Sequence, residues 1–135
     1  MEEKKKILVI EDEEMLLQAI SKKLVSSGFE TVTCTKAEQA LDYLKSSEKP
    51  FDVIWLDYYL PDMDGLEFMN ELKNNEIWAR IPVVVVSNSA SEDKKNSMLA
   101  LGVKEYILKA KYRLEDIVKI ITEVIGRNSL NSNED

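Results

Sequence analysis

Polar residues suited to phosphoryl chemistry follow short apolar runs in this sequence. Glu11 and Asp12 follow the first run, Asp57 the third, Ser87 the fourth and Lys109 the fifth. Taken singly, an aspartate in such a place is usually a turn former or a helix cap, and a serine or lysine is usually a cap or a solvated loop residue. The joint pattern is more specific, because four apolar runs each end in a group suited to one reaction.

The chemistry follows from the acidic residues. Two carboxylates about 4 Å apart repel by roughly 4 kcal/mol at an effective dielectric near 20, so a cluster persists by binding protons or a cation. Carboxylate oxygens are ligands that Mg²⁺ prefers, so the acidic residues after the first and third runs are predicted to bind Mg²⁺ or Mn²⁺. Asp57 is predicted to be a nucleophile that forms an acyl phosphate. Lys109 would spread charge from the phosphoryl oxygens, and the Ser87 hydroxyl would donate to one of them.

The elements that must position these residues form a βα pattern repeated five times. Strands are predicted at 7–10, 30–34, 53–56, 81–86 and 103–108, and amphipathic helices between and after them. A capping box is predicted over 35–38, and Gly28 and Gly102 are predicted to end two helices. Continuous apolar runs indicate strands buried on both faces, and hence a parallel sheet covered by helices on both sides. Sites in such sheets form beyond the carboxyl ends of the strands.

Length and composition bound the function. The chain has 135 residues, which predicts one domain over 1–127 and a disordered tail over 128–135. The net charge of −7 argues against direct binding to nucleic acid or insertion at an anionic membrane. The absence of histidine excludes histidine-based metal sites and Ser-His-Asp triads. A single cysteine, Cys34, and a first apolar run too short for a signal peptide favour a cytoplasmic protein.

The sequence resembles response-regulator receiver domains over about residues 4–126. The resemblance rests on the acidic stretch after the first strand, on Asp57 with the segment Leu-Pro-Asp-Met-Asp-Gly at 60–65, and on Ser87, Tyr106 and Lys109. It implies the flavodoxin-like (βα)5 fold, a three-layer sandwich with a parallel five-stranded sheet in the order 2-1-3-4-5.

The resemblance also implies a role for each position. The implied roles are the phosphoacceptor Asp57, the phosphate-binding Lys109, the switch residues Ser87 and Tyr106, and metal ligation by Glu11, Asp12, Asp57 and the backbone carbonyl of Tyr59. The implied phosphoryl donor is a sensor histidine kinase or a histidine phosphotransfer protein. With no output domain after residue 126, we expect a single-domain regulator whose protein target docks at the face of the fourth helix, fifth strand and fifth helix. Beyond its own phosphorylation and slow dephosphorylation, no enzymatic activity is expected.

Two departures from the family pattern keep alternatives open. Ala110 stands where the family usually has a proline that often follows a cis bond, so the Lys109–Ala110 bond is expected to be trans with a rearranged loop, or strained. Asn88 replaces a small residue and is expected to line the entrance. One alternative is a degenerate receiver that binds partners without phosphorylation. An Asp-nucleophile phosphatase is disfavoured by Tyr59, which replaces a second aspartate, and an FMN-binding protein is disfavoured by the acidic residues at 11–14.

Overall fold

The computed structural model describes residues 3–133, in which five strands alternate with five α-helices. The strands are β1 (Lys6–Ile10), β2 (Glu30–Cys34), β3 (Val53–Asp57), β4 (Val83–Ser87) and β5 (Glu105–Leu108). The helices are α1 (Glu14–Ser26), α2 (Ala37–Ser46), α3 (Gly65–Lys73), α4 (Glu92–Ala100) and α5 (Leu114–Asn133), with short 3₁₀ turns at Trp78–Arg80 and Lys109–Lys111. The strands pair in parallel in the order β2-β1-β3-β4-β5, which confirms the predicted flavodoxin-like fold.

The register of the sheet determines where the strand ends meet. Ile10 lies opposite Leu56, so the next residue of each strand segment, Glu11 and Asp57, falls on one level. Asp57 in turn lies opposite Val86, one residue before the end of β4. The polar residues that follow the central strands are therefore brought to one rim of the sheet.

Two apolar clusters hold the helices against the two faces of the sheet. Side chains of successive strand residues alternate between the faces, so Leu8 and Ile10 pack with α2, α3 and α4, whereas Ile7 and Val9 pack with α1 and α5. Every residue of β3 and β4 is buried. The central strands therefore form a rigid base for the rim.

The start of α2 differs from the prediction. The capping box predicted over 35–38 is wrong, because the helix begins at Ala37, one residue later than the pattern requires. The side chain of Gln39 reaches back instead, and its Oε1 accepts hydrogen bonds from the backbone N–H groups of Thr35 at 2.9 Å and Lys36 at 3.2 Å.

The ends of the other helices follow the sequence more closely. Gly28 and Gly102 come just after α1 and α4, and both have φ of +96°, the left-handed conformation expected of a residue that ends a helix. α5 continues to Asn133, so residues 128–133 are helical where a disordered tail was predicted. No proline interrupts this stretch. The last two residues of the predicted tail, 134 and 135, lie outside the described residues.

Between residues 3 and 133, none of the helices combines the length and the apolar character needed to cross a membrane.

Candidate functional site

Three carboxylates converge at the rim formed by the ends of β1 and β3. Glu11, Asp12 and Asp57 each place one oxygen so that all three atoms lie within 4.8 Å of one another. Glu11 is fully buried and Asp57 is 5% exposed, whereas Asp12 faces solvent. The three residues predicted to bind a metal through their carboxylates are thus brought together by the fold.

Lys109 reaches the same cluster from the end of β5. Its Nζ lies 2.8 Å from Oε1 of Glu11, an ion pair rather than an aligned hydrogen bond, and 3.3 Å from Oδ2 of Asp57. The bond between Lys109 and Ala110 is trans, as are the other peptide bonds of the described chain. Lys109 opens the 3₁₀ turn Lys109–Lys111. The absence of proline after Lys109 therefore does not prevent its ammonium group from reaching the carboxylates.

The electrostatics of the cluster are dominated by burial. Burial and the neighbouring charge of Glu11 raise the pKa of Asp57 to about 7, and the positive charge of Lys109 opposes them only in part. Burial alone would lower the pKa of Lys109, but the carboxylates of Glu11 and Asp57 outweigh it and the pKa is raised. One ammonium group therefore faces three carboxylates, and negative charge remains in excess.

This donor set fits a divalent cation of the Mg²⁺ type. The groups are hard carboxylate oxygens, one of them on an exposed residue that leaves room for water ligands. A cation would also remove the repulsion between Glu11 and Asp57. The backbone of Tyr59 lies beside the cluster, because its N–H donates to Oδ1 of Asp57 at 3.3 Å. The role of its carbonyl as a further ligand stays a prediction.

Ser87 and Tyr106 are linked through the backbone of a residue that sequence reasoning missed. Oγ of Ser87, which is fully buried, accepts a hydrogen bond from the N–H of Ser89 at 3.0 Å. The hydroxyl of Tyr106 donates to the carbonyl of Ser89 at 3.1 Å. The Tyr106 hydroxyl is therefore bonded to the protein rather than left in water. A serine hydroxyl commonly accepts a hydrogen bond from the backbone N–H two residues later, so the signal for this turn was Ser87 itself.

Two more residues near the site make contacts that the sequence did not predict. Nζ of Lys94 lies 4.7 Å from the centre of the Tyr59 ring and contacts its hydroxyl. Asp62 binds the start of α2 from the loop that follows β3. Both are contacts between segments distant in sequence. Asn88 is exposed in the connection between β4 and α4.

Known proteins are similar to this chain in sequence. The family described as the response regulator receiver domain matches residues 7–122. The chain is 31% identical over 130 residues to the two-component response regulator ORR21 of Oryza sativa subsp. japonica, and these residues are 96% of this chain and 18% of that protein. It is 34% identical over 105 residues to the alkaline phosphatase synthesis transcriptional regulatory protein PhoP of Bacillus subtilis, covering 78% of this chain and 42% of PhoP. The chain thus spans only part of the length of these relatives.

Solved structures agree with the fold. A CheY-like response regulator receiver domain protein from Methanospirillum hungatei superimposes with a TM-score of 0.86 at 22% identity, covering 96% of this chain and 99% of that one. The phosphorylated cyanobacterial phytochrome response regulator RcpA gives a TM-score of 0.76 at 33% identity, over 92% of this chain and 91% of RcpA.

Proposed function

Because the chain belongs to the response regulator receiver domain family, we propose that it is a phosphorylation switch of two-component signalling in which Asp57 is the phosphoacceptor. Receiver domains are in general signalling domains rather than enzymes. The observation that carries the proposal is the Asp57 carboxylate, buried at the rim, with a second carboxylate and the Lys109 ammonium group beside it. The proposed setting is the cytoplasm, and the proposed donor is a phosphohistidine of a sensor kinase or a phosphotransfer protein.

The transfer would proceed by attack of an Asp57 carboxylate oxygen on phosphorus. The new O–P bond forms as the P–N bond of the donor breaks, and the leaving imidazole takes the electron pair. Glu11, Asp12, Asp57 and the Tyr59 carbonyl would hold Mg²⁺, which when bound keeps Asp57 ionised and neutralises part of the phosphoryl charge. Lys109 would place its ammonium group against the phosphoryl oxygens, because its Nζ is already 3.3 Å from Oδ2 of Asp57.

The output would begin at Ser87. Its hydroxyl accepts a hydrogen bond from Ser89, which leaves its own proton available to a phosphoryl oxygen. A shift of Ser87 towards the phosphoryl group would pull the backbone of Ser89 with it. The carbonyl of Ser89 accepts the hydrogen bond from the Tyr106 hydroxyl, so this bond would shift as well. Phosphorylation would thereby change the position of Tyr106 and the face formed by α4, β5 and α5, where a protein target would dock.

Mass spectrometry after incubation with acetyl phosphate and Mg²⁺ tests this proposal. The wild-type chain should gain one phosphoryl group, and the variant Asp57→Asn should gain none. Asp42→Asn is the matched control, because Asp42 is an exposed aspartate on α2 away from the rim, and this variant should be phosphorylated like the wild type. A wild-type chain that remains unmodified in the presence of Mg²⁺ would refute the proposal.

No observation favours the alternative of a receiver that acts without phosphorylation. That alternative rested on Ala110, and the trans bond at this position leaves Lys109 in contact with both Glu11 and Asp57.

A further inference from the structure

The loop between β3 and α3, residues 58–64, has hydrogen bonds across its base, and its tip binds the start of α2. The N–H of Gly65 donates to the carbonyl of Tyr58 at 2.7 Å, and Tyr59 and Asp64 form an antiparallel bridge. The side chain of Asp64 accepts from the N–H of Glu67 at 2.9 Å and starts α3. The base of this loop therefore lies next to Asp57, and the residues 60–63 form a tip that projects from it.

Asp62, at the tip, binds the start of α2. Its Oδ1 accepts from the N–H of Ala37 at 3.0 Å and its Oδ2 accepts from the N–H of Glu38 at 2.9 Å. The residue that precedes the helix is Lys36, whose side chain has no acceptor atom. The first amides of α2 thus depend on a carboxylate supplied by another loop, although Asp62 itself is exposed.

We propose that Asp62 is a positioning residue for the metal site, because its two hydrogen bonds fix the tip of the β3–α3 loop and thereby hold the Tyr59 backbone against Asp57. This role rests on the proposed function. The Tyr59 N–H donates to Oδ1 of Asp57, and only two residues separate Tyr59 from Asp62. If the tip of the loop moved freely, its motion would therefore disturb the hydrogen bond from the Tyr59 N–H to Asp57. Groups that hydrogen-bond to metal ligands contribute about 10-fold or more to metal affinity, and the Tyr59 N–H is such a group for Asp57.

The control for this role is Gln39. Its side chain accepts from the N–H groups of Thr35 and Lys36, so Gln39→Ala weakens the same helix start without touching the loop. If Asp62 served only to cap α2, Gln39→Ala and Asp62→Ala would both lower the melting temperature and would have the same effect on Mg²⁺ affinity. If Asp62 positions the loop, only Asp62→Ala affects the site.

The experiment compares the full-length wild type, Asp62→Ala, Asp62→Asn and Gln39→Ala. Titration calorimetry with MgCl₂ measures metal affinity, and hydrogen exchange of the Tyr59 amide in EDTA measures loop order without metal. We expect about 10-fold weaker Mg²⁺ binding and faster Tyr59 exchange in Asp62→Ala. Asp62→Asn, which keeps one acceptor oxygen, should lie between Asp62→Ala and the wild type. Gln39→Ala should match the wild type in both measurements while its melting temperature falls.

The outcomes separate this role from the proposed function. Unchanged Mg²⁺ affinity in Asp62→Ala, or an equal loss in Gln39→Ala, overturns the positioning role while phosphorylation of the wild type still stands. A wild type that neither binds Mg²⁺ nor accepts a phosphoryl group from acetyl phosphate overturns both. If Asp62→Ala does not fold, Mg²⁺ affinity and Tyr59 exchange are compared between Asp62→Asn and Gln39→Ala instead.

Discussion

The variant Asp57→Asn should make the metal-free protein more stable, although it removes the group on which the proposed function depends. Asn has almost the same shape as Asp but carries no charge. Asp57 is 5% exposed and lies beside the fully buried carboxylate of Glu11. Removing one of two buried like charges should therefore raise the free energy of unfolding in the absence of a cation.

The magnitude follows from the pKa of Asp57. Burial and Glu11 raise this pKa to about 7, from an ordinary value of 3.8. At about 1.4 kcal/mol for each pKa unit, this difference makes the ionised side chain about 4 kcal/mol less favourable in the folded protein than in the unfolded chain. The native state binds more protons than the unfolded state between pH 4 and pH 7, so this cost grows as the pH rises through that window. We expect a gain of about 4 kcal/mol for Asp57→Asn at pH 8, falling to about 2 kcal/mol at pH 5.

Urea unfolding in EDTA at pH 8 and pH 5 measures the effect, with Asp42→Asn as the control for loss of an exposed charge. Addition of Mg²⁺ should stabilise the wild type and should have a much smaller effect on Asp57→Asn, because the cation needs the carboxylate. Equal stability of the wild type and Asp57→Asn at pH 8, or a difference that does not shrink at pH 5, would refute the electrostatic reasoning.

Three further predictions concern other features of the fold. Lys109→Met leaves Glu11 and Asp57 without a counter-charge, so the free energy of unfolding in EDTA at pH 8 should fall by about 3–5 kcal/mol. A loss below about 1 kcal/mol, measured by urea unfolding, would show that these ion pairs do not stabilise the fold. Gly102→Ala places a Cβ at φ +96° and should cost about 1–2 kcal/mol in the same assay, without loss of phosphorylation by acetyl phosphate. Burial raises the pKa of Cys34 to about 12, so iodoacetamide at pH 8 should label it only after unfolding, and rapid labelling of the native protein in a mass spectrum would contradict this.

The sheet was predictable from sequence because each strand carries its own signal. Four consecutive valines at 83–86 cannot all face one side of a strand, so such a run indicates burial on both faces, which is typical of a parallel sheet. Once the sheet is parallel, its carboxyl ends lie at one rim, and the residues after the apolar runs meet there. The convergence of Glu11, Asp12, Asp57 and Lys109 was therefore available from the pattern alone.

The contacts of the connecting loops were not predictable in the same way. The helix start at α2 shows why, because a local motif predicted a cap at Thr35 while the actual partners are Gln39 and Asp62. A hydrogen bond across 25 residues, from Ala37 to Asp62, depends on where the β3–α3 loop passes in three dimensions. The placement of Lys109 without a following proline is similar. The sequence left two backbone conformations open, and the structure has the trans bond.

The excess of negative charge at the rim bears on how the proposed switch would be controlled. Under the proposed function, phosphorylation would add negative charge at Asp57, where Lys109 is already shared with Glu11. A single ammonium group cannot balance the buried Glu11 carboxylate together with a phosphoryl group, whose charge is about −1.5 to −2, so the phosphorylated state would need a cation more than the resting state does. Cation affinity and phosphorylation should therefore reinforce each other, since each lowers the electrostatic cost of the other. The same buried carboxylates that are expected to reduce the stability of the metal-free protein would thereby couple the two events, at the end of a sheet whose β3 and β4 residues are all buried.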